Sequence, residues 1–304
     1  MLNMSEPRDF AVQTHYASTW SHAKFVLSDF GRGWIFRGQQ RSDWSLTTAI
    51  ERLRVNISAA AAESRMLREF QRRAHHYAEA ATLPEQTLDV LALMQHYGAP
   101  TRLLDCTRSP YVAAYFALES LEGEYDTAAI WCINENWCLD RARECLRATE
   151  PETKTLPLFF EFSSEQIFDK FLIGGGCRIA VPVEPFRLHQ RMTAQQGLFL
   201  CPGDLNTPLM DNLASMYDGK SPIEHPVQKI ELQAGARVDA LEDLNRMNIN
   251  RATLFPGIEG LARSLALGLV GVKETPWEKV IREGAKEPAR VVPPDVSAIQ
   301  WSER

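Results

Sequence analysis

The sequence predicts an α+β fold, with a mixed or antiparallel central sheet of short strands flanked by helices. Two patterns support this class. Between residues 58 and 97, apolar residues recur at steps of three and four, which is the spacing of amphipathic helices. Beyond residue 127, short bulky runs are separated by polar loops, which is typical of strands. The 304 residues are enough to bury a large core, and one elaborated domain is expected.

Helices are predicted before residue 127 over residues 58–81, 85–97 and 110–121. The second ends where Gly98 and Pro100 interrupt the pattern, because glycine commonly closes a helix and proline cannot continue one. The third begins after Ser109, whose hydroxyl can cap free amides, and Pro110 fits its first position. Later helices are expected at about residues 237–247 and 257–268.

Short runs of bulky residues predict the strands, at residues 34–36, 128–133, 158–162, 178–183, 197–201 and 227–232. Residues 5–33 show weak helical spacing, and residues 1–33 are predicted to form an N-terminal helical extension, followed by one domain over residues 34–272. The proline-containing residues 273–304 are expected to form an extended C-terminal tail.

The composition argues against several classes of function. Lys and Arg total 33 and Asp and Glu total 39, which gives a formal net charge of −6 without a long block of like charge. Wholesale binding to nucleic acid or anionic lipid is therefore not expected, although a local basic pocket is compatible with this balance. No segment approaches the roughly 18 consecutive apolar residues of a membrane span, and the first residues do not resemble a signal peptide.

The six cysteines show neither a Cys-x-x-Cys pair nor a neighbouring histidine at zinc-ligand spacing. Buried thiols in a reducing compartment are the expected state. The sequence therefore predicts a soluble cytoplasmic protein without a metal site.

Three short polar segments are the candidates for function. Arg37 ends a predicted strand and precedes Gly38, which lets a ligand or another backbone approach closely. Residues 95–110 contain the densest cluster of polar side chains and are predicted to form a loop between two helices. Residues 191–200 place two glutamines immediately before a strand. If the segments converge, they line one pocket for an anionic, nucleotide-like ligand.

Each candidate residue also has a structural interpretation. Arg37 is either a surface arginine after a strand or a guanidinium that binds a phosphate through two hydrogen bonds. Arg102 and Asp105 either pair to hold the loop or contact the ligand, in which case Asp105 orients Arg102 or a ribose hydroxyl. Ser109 either caps the third helix or adds to an anion site at the helix start, where free amides and the helix dipole attract negative charge.

The same segments resemble the FRG-domain family, named for the Phe-Arg-Gly triplet that stands here at residues 36–38. Residues 95–117, reading QHYGAPTRLLDCTRSPYVAAYFA, resemble that family's central signature. Residues 191–199, reading RMTAQQGLF, resemble its third block. Three blocks in this order make the resemblance specific, and it spans about residues 34–268.

A further resemblance lies at the level of the fold. A strand ending in aromatic-Arg-Gly, a Thr/Ser turn leading into a helix, and a later strand preceded by Gln or Glu are similar to the layout of ADP-ribosyltransferases. This resemblance implies that NAD is the substrate, and it assigns catalysis to Arg37, Thr107 and Gln196. It assigns NAD binding to residues of the three segments and of the helix after the second: Arg37, Gly38, Gln39, His96, Tyr97, Thr101, Arg102, Asp105, Ser109, Tyr115 and Gln195.

The resemblance also implies individual roles. Arg37 would bind the pyrophosphate or a ribose of NAD, and Thr107 with Ser109 would brace the ribose next to nicotinamide. Tyr115 or Phe116 would support the nicotinamide pocket from the helix.

Gln196 would stand where ADP-ribosyltransferases carry a catalytic glutamate. A neutral amide cannot supply the negative charge that stabilises an oxocarbenium-like transition state. Glu161 and Glu231, each on a predicted strand, are alternative carboxylates.

The leading hypothesis is therefore an NAD-utilising enzyme that transfers or hydrolyses ADP-ribose, with Arg37 and Arg102 as phosphate anchors. The resemblance places such an enzyme among bacterial toxins or phage-defence effectors. The alternative is a non-catalytic module that binds a nucleotide or a protein partner, such as an antitoxin, in a defence or toxin–antitoxin system. Nucleic-acid processing, with contacts from Arg37, Arg102 and Arg108, is disfavoured by the acidic balance of the chain.

Overall fold

The structure is a computed structural model. It describes residues 10–53, 55–77, 83–121, 123, 126–149, 164–173, 176–219 and 223–267. Over these ranges the chain forms a seven-stranded sheet with helices packed on both faces. The predicted α+β class, with a mixed sheet flanked by helices, is confirmed.

The sheet has a central strand and two short edges. Its strands are β1 (Gln13–Ala17), β2 (Trp34–Gln39), β3 (Leu104–Thr107), β4 (Thr127–Asn134), β5 (Ala180–Val183), β6 (Gly197–Pro202) and β7 (Val227–Gln233). They lie in the order β1-β7-β4-β2-β3-β6-β5. β1 runs parallel to β7, and the other neighbouring pairs are antiparallel. β2 is therefore the middle strand, with β3 beside it.

Eleven α-helices are found in the described part of the chain. They are α1 (Trp20–Leu27), α2 (Ala59–Arg73), α3 (Thr87–His96), α4 (Pro110–Leu118), α5 (Glu135–Thr149), α6 (Ser164–Ile167), α7 (Gln190–Ala194), α8 (Leu209–Ser215), α9 (Arg237–Arg246), α10 (Arg251–Leu254) and α11 (Ile258–Leu267). Short 3₁₀ turns follow α2 and β7, at Ala74–His76 and Ala234–Ala236, and a π-helical turn (Phe168–Leu172) follows α6.

A separate apolar cluster covers each face of the sheet, and β4 contributes to both. Its Ala129 and Trp131 pack with α3, α5 and α8 on one face, while Ala128 and Ile130 pack with α1, α4 and α9 on the other. Successive side chains of a strand point to opposite faces, so a strand that is covered on both sides reads as a continuous apolar run. This explains why β4 is a clear signal in the sequence.

Gly38 of β2 is required by the packing of α4. A Cβ at this position would lie 1.9 Å from the carbonyl oxygen of Ala113 and 2.6 Å from the backbone nitrogen of Ala117. Both atoms belong to the backbone of α4, so neither can move aside as a flexible side chain would. The glycine after Arg37 therefore allows another backbone to approach closely, which is one of the two interpretations drawn from the sequence.

Most predicted helices and strands are confirmed with small changes at their ends. The helix predicted at residues 58–81 is shorter, since α2 ends at Arg73 and a 3₁₀ turn follows, and residues 78–81 lie outside the described residues. The Ser58 hydroxyl caps α2 by accepting from the Ala61 N–H at 3.2 Å, and the Ser109 hydroxyl caps α4 by accepting from the Val112 N–H at 3.3 Å. Gly98 follows α3 with a positive φ of 88°. The predicted strands at residues 34–36, 128–133, 178–183, 197–201 and 227–232 correspond to β2, β4, β5, β6 and β7, and the later helices to α9 and α11.

Three elements differ from the prediction. Residues 95–110 are not a continuous loop, because residues 104–107 form β3 between β2 and β6. Residues 13–17, in the predicted helical extension, form the edge strand β1, which buries only Ala17 and so lacks an apolar alternation. α5 is absent from the prediction and follows β4 directly, capped by Asn134 Oδ1, which accepts from the Trp137 N–H at 2.9 Å.

The predicted strand at residues 158–162 and the predicted tail at residues 273–304 lie outside the described residues. The domain boundaries at residues 33 and 272 stay a prediction. Residues 13–17 pair with β7, and α1 packs beside β1 and β7.

Replacing Gly38 by alanine is expected to lower the free energy of unfolding by about 3 kcal/mol, because the added methyl group overlaps two backbone atoms of α4. Gly31→Ala is the matched control, since nothing lies within 4 Å of a Cβ at that position. The control should change stability by less than about 0.5 kcal/mol. Urea denaturation measures both variants, and a Gly38→Ala protein as stable as wild type would contradict the described packing of α4 on β2.

Candidate functional site

The candidate site is a cavity where β2 and β3 separate. These neighbours share a single ladder pair, Phe36 with Thr107, whereas β2 pairs with β4 over six positions. Beyond that pair the two strands leave a cavity of about 860 Å³, which is within the size range of ligand sites. Its wall consists of strand residues 36–39 and 105–107, loop residues 40, 43–45, 47 and 52, and residues 116, 119, 191 and 195.

Arg37 spans the gap between the two strands. Its Nη1 donates a hydrogen bond to the backbone oxygen of Asp105 at 2.7 Å and lies 4.0 Å from Asp105 Oδ2. The Arg37 Nε is buried and has no hydrogen-bond partner among the described residues. The guanidinium is therefore fixed at the cavity wall and keeps donor capacity, which rules out an ordinary surface arginine.

Thr107 joins the second polar segment to the third. Its hydroxyl donates to the backbone oxygen of Gln195 at 2.7 Å and accepts from the Ser109 N–H at 3.0 Å. The side-chain amide of Gln195 in turn donates to the backbone oxygen of Leu254 at 3.0 Å. Residues from the three polar segments, Arg37, Thr107 and Gln195, therefore lie around one cavity.

Gln196 does not line the cavity. It is exposed, and its φ of 48° lies in the left-handed region. Its backbone oxygen accepts from the Arg108 N–H at 3.0 Å, which fixes the turn before β6. The position predicted for a catalytic residue is thus a turn position, and the neighbouring Gln195 is the glutamine at the cavity. Of the alternative carboxylates, Glu231 is paired with Lys229 at 2.6 Å and does not line the cavity, and Glu161 lies outside the described residues.

The carboxylates of the cavity are Asp43, Asp105 and Glu119. Two of them pair with arginines that are not part of the lining. Asp43 Oδ2 lies 2.6 Å from Arg41, and Glu119 Oε2 lies 2.7 Å from Arg251. Their negative charge is therefore largely compensated before any ligand enters.

Two cavity arginines have no carboxylate partner in the described part of the chain. Arg52 donates to the Thr47 backbone oxygen at 2.7 Å, and the Arg191 guanidinium lies 4.5 Å from the centre of the Phe255 ring. The lining carries three arginines and three carboxylates, and Arg41 and Arg251 compensate two of these carboxylates from outside it. Arg52 and Arg191 are therefore available to an anionic ligand, although the chain has a net charge of −6.

Aromatic side chains add flat apolar surface to the cavity. The Trp44 side chain lines it and is 49% exposed. Phe116, on the last turn of α4, packs edge-on against Phe255 at 5.9 Å. Arg191 and Arg251 lie over the Phe255 ring, so an aromatic–arginine cluster supports this wall.

Arg102 lies in the interior, away from the cavity. Its side chain is 6% exposed, and its Nε donates to Glu63 Oε2 of α2 at 2.7 Å. Its Nη1 donates to the backbone oxygen of Leu172 at 2.6 Å, and the guanidinium lies over the Phe168 ring. The prediction that Arg102 anchors a phosphate is wrong, and so is its pairing with Asp105, because its donors are engaged in the core.

Other residues assigned to NAD binding are also absent from the lining: His96, Tyr97, Thr101, Ser109 and Tyr115. Thr101 is fully buried, and Ser109 is the cap of α4. Tyr115 of α4 is buried in the apolar core, and burial raises the pKa of its hydroxyl. Tyr97 is 76% exposed and packs edge-on against His96. Gly38 and Gln39 do line the cavity, with the Gln39 amide held by Trp131 and Ser45.

The His96 ring packs against the His189 ring, with ring centres 4.1 Å apart. His189 Nδ1 accepts from the Met192 N–H at 3.2 Å and so caps α7, the helix that carries Arg191. Burial, and to a smaller extent the adjacent His96 and Arg191, lower the pKa of His189 to about 4, against an opposing effect of Asp105. Burial also lowers the pKa of His96.

Asp43, Trp44, Arg52 and Glu119 were not identified from the sequence. Trp44 belongs to the polar loop after β2, and its proximity to Arg37 along the chain is a usable signal. Glu119 lies three residues after Phe116, so both occupy one face of α4, and that spacing could have identified it. Arg52 carries no local signal, because its position depends on how the loop folds back.

A family model described as FRG domain matches residues 32–125. Two of the three resembling blocks fall inside this match, and the resemblance to the FRG-domain family is confirmed. No curated protein and no solved structure matches the chain. The resemblance to ADP-ribosyltransferases stays a prediction.

Three further features of the described residues concern membrane spans, disulfides and metal sites. None of their helices is both long and apolar enough to cross a membrane. The six cysteines are all described, and none of them is disulfide-bonded. No group of three or more His, Cys, Asp or Glu side chains in the described ranges is arranged to hold a metal ion.

Arg102→Ala is expected to lower the free energy of unfolding by about 3–5 kcal/mol, because it leaves the Glu63 carboxylate buried without its partner. The double variant Arg102→Met with Glu63→Gln should recover part of this loss, since it removes both charges. Arg37→Ala should cost less than about 2 kcal/mol, because its side chain is partly exposed. Urea denaturation measures the free energy of unfolding of all three variants. A loss of less than about 1 kcal/mol in Arg102→Ala, which is typical of surface substitutions, would contradict a role in the core.

Acid is expected to destabilise the fold through His189. Because its pKa is lowered from 6.5 to about 4 in the folded state, the unfolded chain binds the proton first. The stability that depends on neutral His189 is thus fully present above pH 6.5 and is lost as the pH falls toward 4. His189→Asn keeps a capping acceptor and removes the titration, so its denaturation midpoint should fall less between pH 7 and 5. His22→Asn, on the exposed side of α1, is the control, and identical pH profiles for wild type and His189→Asn would refute the linkage.

Proposed function

We propose that this FRG-domain protein binds NAD in the cavity between β2 and β3 and breaks the bond between nicotinamide and ribose, passing ADP-ribose to an acceptor or to water. The observation that carries the proposal is a single cavity in which Arg37, Arg52 and Arg191 meet Trp44 and Phe116. A dinucleotide has the matching parts, since its pyrophosphate is anionic and both of its bases are flat rings.

The pyrophosphate would bind the arginines. Guanidinium groups match phosphate oxygens through paired hydrogen bonds, and such charge-assisted bonds are about twice as strong as neutral ones. Arg52 and Arg191 have no carboxylate to compete with the ligand in the described part of the chain. Arg37 also lines the cavity and its side chain is 21% exposed, so a phosphate oxygen can reach it.

The rings of NAD would use the aromatic and backbone surfaces. A half-exposed Trp44 is a stacking platform of the kind that holds bases by their faces. From Arg37 onward, the edge of β2 that faces β3 has no ladder partner on that strand. Nicotinamide carries a carboxamide with both a donor and an acceptor, which is the group that an unpaired strand edge can bind.

The reaction would follow a dissociative route. The C1′–N bond breaks, its electron pair leaves with neutral nicotinamide, and the ribose becomes an oxocarbenium-like cation. An oxygen of the acceptor or of water then bonds to C1′ and releases its proton to solvent. The Asp105 carboxylate would stabilise the positive charge, because Asp43 and Glu119 are already compensated by arginines and Gln196 lies outside the cavity.

The biological setting follows from this chemistry. An enzyme that consumes NAD fits a bacterial toxin or phage-defence effector, with an antitoxin or other protein as its partner. A cytoplasmic location fits cysteines that form no disulfide among the described residues.

A non-catalytic nucleotide-binding module is the second candidate. It is favoured by the state of the cavity carboxylates, because Asp43 and Glu119 are paired with arginines and Asp105 accepts from Gln95 at 2.9 Å. In that case the cavity would hold the nucleotide, and a protein partner would recognise the nucleotide-bound form.

Incubation of the purified protein with NAD is expected to release nicotinamide, measured by chromatography, with and without cell extract as a source of acceptor. Release by the protein supports the enzyme. No release under either condition, together with binding of NAD by calorimetry, would favour the non-catalytic module.

Variants locate the activity. Arg191→Ala and Arg52→Ala should each weaken NAD binding roughly 10- to 100-fold, as expected for the loss of a hydrogen bond to a charged group. Arg32→Ala removes an exposed arginine outside the cavity and should leave binding unchanged. Unaltered affinity in both cavity variants would place the NAD site elsewhere.

A further inference from the structure

Asp105 differs from the other carboxylates of the cavity. The Asp43 carboxylate is bound by Arg41 through two hydrogen bonds, and the Glu119 side chain is 10% exposed and paired with Arg251. The Asp105 side chain is 70% exposed, and its ion pair with Arg37 spans 4.0 Å. Asp105 therefore keeps most of its acceptor capacity on the cavity side.

A hydrogen-bonded chain from the core fixes the Asp105 carboxylate. The hydroxyl of the fully buried Thr101 donates to Gln95 Oε1, and Gln95 Nε2 donates to Asp105 Oδ1 at 2.9 Å. An ionised carboxylate only accepts hydrogen bonds, so the Gln95 amide has one orientation that serves both neighbours. The Leu103 N–H donates to the Thr101 hydroxyl at 3.2 Å and holds the start of the chain.

The neighbours of Asp105 limit what it can bind. A group that meets this carboxylate must donate hydrogen bonds, and the Arg37 guanidinium beside it disfavours a cation. With Oδ1 engaged by Gln95, further acceptor positions remain on both oxygens. A pair of adjacent neutral hydroxyls, next to a phosphate held by Arg37, meets these conditions, and a ribose 5′-phosphate unit has that arrangement.

We propose that Asp105 recognises the ribose diol of the bound nucleotide, so that the cavity selects ribonucleotides over 2′-deoxyribonucleotides. Gln95 and Thr101 are positioning residues, since they hold the carboxylate and do not line the cavity. The inference rests on the proposed binding of a nucleotide at this site and requires no reaction.

The test compares the binding of ADP and of 2′-deoxy-ADP by calorimetry. Wild type should bind ADP at least about tenfold more tightly, because the deoxy sugar leaves one acceptor of Asp105 unpaired. Asp105→Ala and Asp105→Asn should bind the two nucleotides with affinities within about twofold of each other. Gln95→Leu and Thr101→Val should reduce the preference, whereas a purely structural role would weaken both nucleotides equally.

Asp29→Asn is the matched control, because it removes an exposed carboxylate of α1's C-terminal turn and should keep the full preference. Equal affinity of wild type for the two nucleotides, binding of neither, or an unchanged preference in both Asp105 variants overturns the inference. Preference for ADP without any nicotinamide release from NAD would contradict the proposed reaction and support the ribose site. Nicotinamide release from NAD without a preference for ADP would support the proposed reaction and contradict the ribose site.

Discussion

The separation of β2 from β3 is the constraint on which the rest of the site depends. The two strands share only the pair Phe36–Thr107, and beyond it Arg37 donates across the gap to the Asp105 backbone oxygen. The outer edges of both strands are paired along their length, with β4 and with β6. The gap therefore lies between two parts of the sheet whose own strands are hydrogen-bonded to each other. The backbone of α4 packs against Gly38 beside the gap.

The arginines of the chain differ in whether a carboxylate pairs with them. Buried or surface carboxylates take up many arginines of the chain, including Arg102 in the core and Arg108, which is bound by Glu135 and Glu184. Arg52 and Arg191 are different, because in the described residues they contact a backbone oxygen and a ring. A protein of acidic composition can thus present arginines that are available to an anionic ligand, and net charge alone is a poor guide to its ligand.

The sequence predicts features that depend on neighbouring residues, and it fails for features that depend on residues far away along the chain. The stripe of α2, the Ser109 cap of α4 and the apolar run of β4 are local, and all three are confirmed. β3 is four residues long, too short for a period-two pattern to stand out from a loop. Arg102 resembles a loop arginine until Glu63 is brought beside it from 39 positions away. Gln195 and Gln196 are adjacent and chemically identical, and only the positive φ of Gln196 separates their roles.

The most direct test of nucleotide binding between β2 and β3 is a crystal structure of the protein with ADP-ribose. We expect density in the cavity between β2 and β3, with the pyrophosphate on Arg37 and a ribose within hydrogen-bond distance of the Asp105 carboxylate. ADP-ribose bound on another surface, or a cavity closed by direct pairing of β2 with β3 past Phe36, would contradict it.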